Sequence, residues 1–195
     1  MSSRASLWLG AFGLALVISV AGGSAGRTAD EDEDEIKATK EAQVAVVQMV
    51  EAMRKGDSCK EQAEAIHKKF PDLKPVMNIF KPSSKHGLGV GPKGPGDGIE
   101  QRIINWSTKT QSRSDAARNR PAMERAAEVS RAMAEVADVY LPKKDVSKWK
   151  KYCQEMRDGA DELMKSARGG DPKAIKTAAT NLNGSCTSCH GDFRD

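Results

Sequence analysis

The chain has 195 residues and a formal net charge of +4, with 30% Asp, Glu, Lys and Arg. That mild balance gives no argument for nucleic acid, which calls for a strongly basic face. Aromatic residues make up only 5%, while Ala, Lys, Glu and Met are common, a composition that favours packed helices over sheet.

The amino terminus reads as an export signal. Arg4 supplies positive charge, Leu7 to Val20 is an uncharged apolar run, and Ala21 to Gly26 supplies small residues, with cleavage expected after Ala25. The run is shorter than the roughly 20 apolar residues of a membrane-spanning helix, so an uncleaved anchor is the lesser alternative. Residues 1–25 are expected to be removed, which places the mature chain in the periplasm or otherwise outside the cytoplasm. About 170 residues remain, enough for one domain with a real core. Their net charge is about +3, because Arg4 leaves with the signal.

Residues 26–35 contain the acidic run Asp30 to Glu35 and read as a solvated lead-in. Negative charge suits the amino end of a following helix. That first helix is expected over about 36–55, with Ile36, Val44, Val46, Val47, Met49, Val50 and Met53 at helical spacing and Gly56 ending it. Ser58 and Glu61 have capping-box spacing ahead of a short helix that stops at Phe70-Pro71. Residues 57–120 form an extended first connection. They hold Pro71, Pro75, Pro82, Pro92 and Pro95 and a glycine-rich stretch, and read as long and irregular with a helical turn near 98–106.

A long helix is expected over about 121–141, with Pro121 in its first turn. The next begins near Asp145 and carries Val146, Trp149, Cys153, Met156, Ala160, Leu163 and Ala167 at spacings of three or four, up to Gly169-Gly170. Asp171-Pro172 is a start signal, an N-cap Asp with Pro at the first helical position. The last helix then turns Ile175, Ala178, Leu182, Cys186, Cys189 and Phe193 inward. No convincing strand pattern and no internal repeat is present. The fold class is all-α, an antiparallel four-helix bundle over residues 36–195 with an extended first connection.

Cys186-Thr-Ser-Cys189-His190 is a c-type haem attachment pattern. Two thiols must meet the two vinyl groups of one porphyrin, and the next residue must offer an imidazole to the iron. Residues three and four apart share a helix face. A closed zinc site would need four ligands, usually as two separated pairs. A thioredoxin-like pair would want a strand–helix context, and none is visible. The other cysteines, Cys59 and Cys153, lie on apolar stripes and read either as buried thiols or as a disulfide, which an exported chain permits.

Residues 145–194 resemble the carboxyl half of class II cytochromes c, the cytochrome c-prime family. The likeness rests on a helix with an early Trp149, a Gly-Gly-Asp-Pro turn, a short Ala-rich helix and a CxxCH at the extreme carboxyl end followed by Phe193-Arg194. The resemblance implies one covalent haem c held by Cys186 and Cys189, with His190 as proximal iron ligand. Arg194 matches a family arginine beside the haem on its proximal side. It further implies a distal face lined by the first helix, near Gln43 to Val47, and dimers formed through that helix. Residues 57–120 are longer than the family's usual connection.

The sixth iron position separates two functions. A strong ligand there favours electron transfer, and an open position admits nitric oxide or carbon monoxide. Met77, in the connection, and Met49, on the first helix, are the candidate distal ligands. His67 and His86 read as surface histidines. Lysines 143, 144, 148, 150 and 151 form a basic patch that reads as a solvated face or as a docking site for an acidic redox partner. Gly87 to Gly91 (GLGVG) lacks dinucleotide-loop spacing and reads as loop chemistry. No residue set points to an enzyme, and no distal acid–base pair suited to a peroxidase is visible. The readings carried forward are an electron-carrying cytochrome, a gas-binding haem protein and an exported thiol–disulfide protein without haem.

Overall fold

The computed structural model describes residues 29–194, with side chains from residue 32 onward. The export signal and its cleavage site lie outside the described residues. All regular elements described are helical.

Helix α1 spans Ala29–Lys55. The acidic run is therefore part of the helix, not a lead-in before it, because carboxylates in the opening turns favour the positive end of the helix dipole. Glu35 is no solvated spacer either. It accepts from Lys74 Nζ and from Asn78 Nδ2, both at 2.9 Å, and fastens α1 to the connection. Gly56, at φ 84°, ends α1 in a Schellman turn. There Gly56 N–H donates to Met53 and Asp57 N–H to Ala52.

The 57–120 connection is largely helical, contrary to the irregular reading. It contains α2 (Lys60–Lys69), α3 (Lys74–Met77), 3-10 turns at Asn78–Phe80 and Ser83–Lys85, and α4 (Ile99–Thr108). The prolines punctuate short helices without abolishing them; Pro75 sits in the first turn of α3, where its missing N–H costs nothing. The expected Ser58 capping box does not form. Cys59 occupies the cap of α2 in a helical backbone conformation and makes no side-chain cap bond.

The glycine-rich stretch is tightly packed loop. A Cβ on Gly87 would fall 1.7 Å from the Lys81 carbonyl oxygen, so only glycine fits. Asp97, 2% exposed, accepts from Ser83 N–H at 2.9 Å and from the Ser83 hydroxyl at 2.5 Å, closing the loop on itself.

Helix α5 spans Arg113–Val139 and places Pro121 inside the helix, two turns past its start. The earlier start follows from Ser112, whose hydroxyl accepts from Asp115 N–H at 3.1 Å. Pro121 is exposed, so its lost donor leaves a carbonyl that water can reach. Helices α6 (Val146–Gly169) and α7 (Pro172–Phe193) begin and end as the sequence signals require. Gly170 caps α6 at φ 68°, and the Asp171 carboxylate accepts from Lys173 N–H and Ala174 N–H.

Short connections make α5, α6 and α7 successive antiparallel neighbours. Gly159 brings α6 against α7; a Cβ there would lie 2.8 Å from Leu182 Cα. Helix α1 packs on α5, with Arg54 bridging to Glu128. Met49, Val50, Met123, Met133, Leu163 and Leu182 are sealed in the shared core.

Four long helices thus form an all-α bundle, but the place beside α7 differs from expectation. Helix α4 lies along α7, while the main faces of α1 meet α5 and α3. The register of α4 is fixed where Thr180 Oγ approaches the Ser107 carbonyl at 3.4 Å.

Candidate functional site

The last two turns of α7 carry Cys186, Cys189 and His190 on one side of the helix. Cys186 and Cys189 are half-buried, and His190 is exposed. Cys189 packs against a small cluster made by Ala137, Trp149 and Cys153, which Leu73, Met77, Tyr140 and Phe193 also join. The cluster has a polar anchor: Trp149 Nε1 donates to the Ala137 carbonyl at 2.9 Å. The ring of Phe193 stands edge-on to Trp149 at 5.1 Å between centroids.

The carboxyl-terminal turn is also clamped from α6. Asp192 accepts from Tyr152 Oη at 2.5 Å and pairs with Lys148 Nζ at 2.7 Å. Arg194 is exposed; its backbone N–H donates to the His190 carbonyl at 3.1 Å and closes the helix.

Burial sets the protonation states. It pushes the thiols of Cys186 and Cys189 up to about 11 and that of Cys153 up to about 12, so all three are neutral S–H groups at neutral pH. A catalytic CxxC pair needs the opposite shift, towards thiolate. Thioether formation on a vinyl group consumes sulfur and hydrogen together, and these thiols hold both. Desolvation, then the charge of Arg194, holds His190 below its ordinary value, which keeps the imidazole neutral with a lone pair free for a metal. Among the described residues no group of three or more His, Cys, Asp or Glu side chains is arranged to hold a bare metal ion. The arrangement can hold one flat group by two sulfurs and present one nitrogen to its centre.

The other candidates fall in different places. Met49 is 1% exposed and belongs to the main core. Met77 is half-buried, packing against both that core and the cluster that contains Cys189. His67 is not a surface histidine, because its ring lies 4.3 Å from that of Tyr140 and is half-buried there. His86 is exposed, at φ 60°. Gln43, expected near a distal face, donates to the His86 carbonyl. Cys59 and Cys153 are free thiols, Cys59 half-buried and Cys153 buried.

Two parts of the surroundings escaped the sequence reading. Glu100 on α4 lies where its charge acts on both Cys186 and His190. Leu73, just before α3, reaches the cluster of Cys189. The spacing of Ile99, Ile103 and Trp106 was the available signal, since an apolar helix stripe must cover another element.

Residues 143–194 match the family model described as Cytochrome C'. The match spans the basic loop, α6 and α7, and so includes every attachment residue read from the sequence. It supports the class II cytochrome c resemblance over that segment. No curated protein and no solved structure matches the chain.

Proposed function

We propose that this chain, cytochrome c-prime-like over residues 143–194, is an exported single-haem c-type cytochrome that transfers electrons. The observation that carries the reading is the meeting of Cys186, Cys189 and His190 on one side of α7, with Cys189 against an apolar cluster, inside the matched segment. The residues fit the group: neutral thiols for two thioethers, a neutral imidazole, and the apolar Leu73, Met77, Trp149 and Phe193 to exclude water.

In this reading Cys186 and Cys189 anchor the porphyrin and His190 is the proximal ligand. Arg194, exposed one turn after His190, would lie beside the haem on its proximal side. Haem, when bound, supplies an iron that takes up and gives up one electron. The chain holds it, dries its surroundings and so tunes its potential, and the protein is a carrier without a catalytic function of its own. Lys143, Lys144 and Lys150 are exposed beside α6 and suit an acidic redox partner.

The distal ligand in this reading is Met77, which already packs in the cluster of Cys189, whereas Met49 is closed off in the core. The second reading, a five-coordinate iron that binds nitric oxide or other small gases, draws on α1. That helix has its main contacts with α5 and α3 rather than with α7, which supports this reading less than the first.

The test is electrophoresis under denaturing conditions followed by haem staining, on protein made in a host competent for cytochrome maturation. The wild type retains haem, and the Cys186→Ser/Cys189→Ser double variant does not. Haem retained by the double variant, or a colourless wild type, refutes the reading. Carbon monoxide then separates the two functions: the reduced electron carrier binds it slowly, and rapid binding selects the gas-binding protein.

A further inference from the structure

Helix α4 lies outside the segment that matches the family, yet it forms the wall beside the attachment residues. It meets α7 where Ser107 approaches Thr180, and its start at Gly98 lies against Lys81 and Pro82, close along the chain to the Met77 that packs with Cys189, so the two helices run antiparallel. Seven residues, about two turns, separate Ser107 from Glu100, and the same step along α7 leads from Thr180 to Thr187. Glu100 is thereby placed between Cys186 and His190. Buried Ile99 and Ile103 hold α4 in this position.

The electrostatics agree with the register. The Glu100 charge acts on Cys186 and on His190, residues one turn apart. Glu100 is exposed and makes no hydrogen bond or ion pair among the described residues. Its carboxylate is in the first turn of α4.

We propose that Glu100 is a positioning residue for the proximal His190, the acceptor that orients its imidazole and lowers the reduction potential of the iron. This assignment rests on the haem reading above. An imidazole that ligates iron through one nitrogen keeps a hydrogen on the other. A carboxylate beside that N–H fixes the ring and makes it a stronger donor. Its negative charge also stabilises the ferric over the ferrous iron. Arg194 carries the opposite charge one turn after His190, so the two residues pull the potential in opposite directions.

The test is the midpoint potential of the haem-loaded wild type, Glu100→Gln and Glu61→Gln. Glu61 is an exposed residue on α2, and its replacement makes the same change in net charge. Glu100→Gln raises the reduced-to-oxidised ratio at a fixed poise about tenfold, an upward shift of about 59 mV for one electron, while Glu61→Gln stays at the wild-type value. Equal potentials for wild type and Glu100→Gln, or equal shifts in both variants, overturn the assignment with the haem reading intact. A wild type without covalent haem overturns both. If Glu100→Gln does not fold, Glu100→Asp replaces it. That variant keeps the charge but draws it back, so the potential rises part of the way, and no rise refutes the proposal.

Discussion

Asp97 shows how one carboxylate organises a stretch that looked featureless. The Ser83 hydroxyl chiefly holds Asp97 below the ordinary carboxylate range, against burial, which pushes it up; the Ser83 and Gly94 N–H groups add to the lowering. A depressed folded value means that this contribution to stability is complete above the unfolded value of about 3.9 and is lost as pH falls through the folded one. Melting temperatures measured from pH 7 to pH 2 should therefore drop below about pH 4 in the wild type. Asp97→Asn should lower the plateau and flatten that acid limb. Two methionines make a second contrast at this scale. Met49→Ala opens a cavity in a sealed core and should cost about 2–5 kcal/mol in denaturant unfolding. Met77→Ala should cost less stability and instead speed carbon monoxide binding to the reduced haem protein. Of the candidate site, Cys186, Cys189 and His190 were legible in the sequence because their spacing alone puts them on one helix face. The side chains around them, Leu73 and Glu100 among them, were not, because they come from α3 and α4, far away along the chain.

Helices α6 and α7 were legible almost to the residue. Their ends are marked by local chemistry: a glycine that accepts positive φ at position 170, and an Asp whose carboxylate caps two N–H groups at position 171. Asp171→Ala should cost about 1 kcal/mol in thermal unfolding by leaving those donors without their cap. Gly159→Ala tests the interface between the two helices. Its Cβ would press on Leu182 backbone at 2.8 Å and force α6 from α7, with an expected loss of about 1–3 kcal/mol. Because Leu182 lies one turn before Cys186, that variant should also shift the haem spectrum. The start of α5 lies ahead of the expected Pro121 for a reason of the same kind. Pro121 is a strong first-turn signal, but Ser112 and Asp115 offer a cap two turns earlier, and an exposed proline is tolerated within the helix they begin.

At the scale of the molecule, α6 and α7 do not make a core by themselves. Their apolar stripes close against α5 on one side and α4 on the other. A fragment of residues 143–195 should thus be mostly unfolded by far-ultraviolet circular dichroism, although it contains the whole matched segment. The four-helix expectation held for the number of long helices and for the antiparallel order of α5, α6 and α7. It did not hold for the neighbour of α7. Helix α1 is drawn to α5 and α3 by Glu35, Arg54 and its buried stripe, and the connection supplies α4 in its place.

The sequence by itself determined the helical class, the ends of the last two helices and the chemistry of the terminal CxxCH, since each depends on residues within a few positions of one another. Only the tertiary structure decided which elements face that motif. Helix pairing is settled by the fit of apolar stripes and by single close approaches such as Gly159 on Leu182, and many sequence patterns are compatible with several such pairings. Met77 and Glu100 became neighbours of the attachment residues by that route, through packing between segments that no local signal connects.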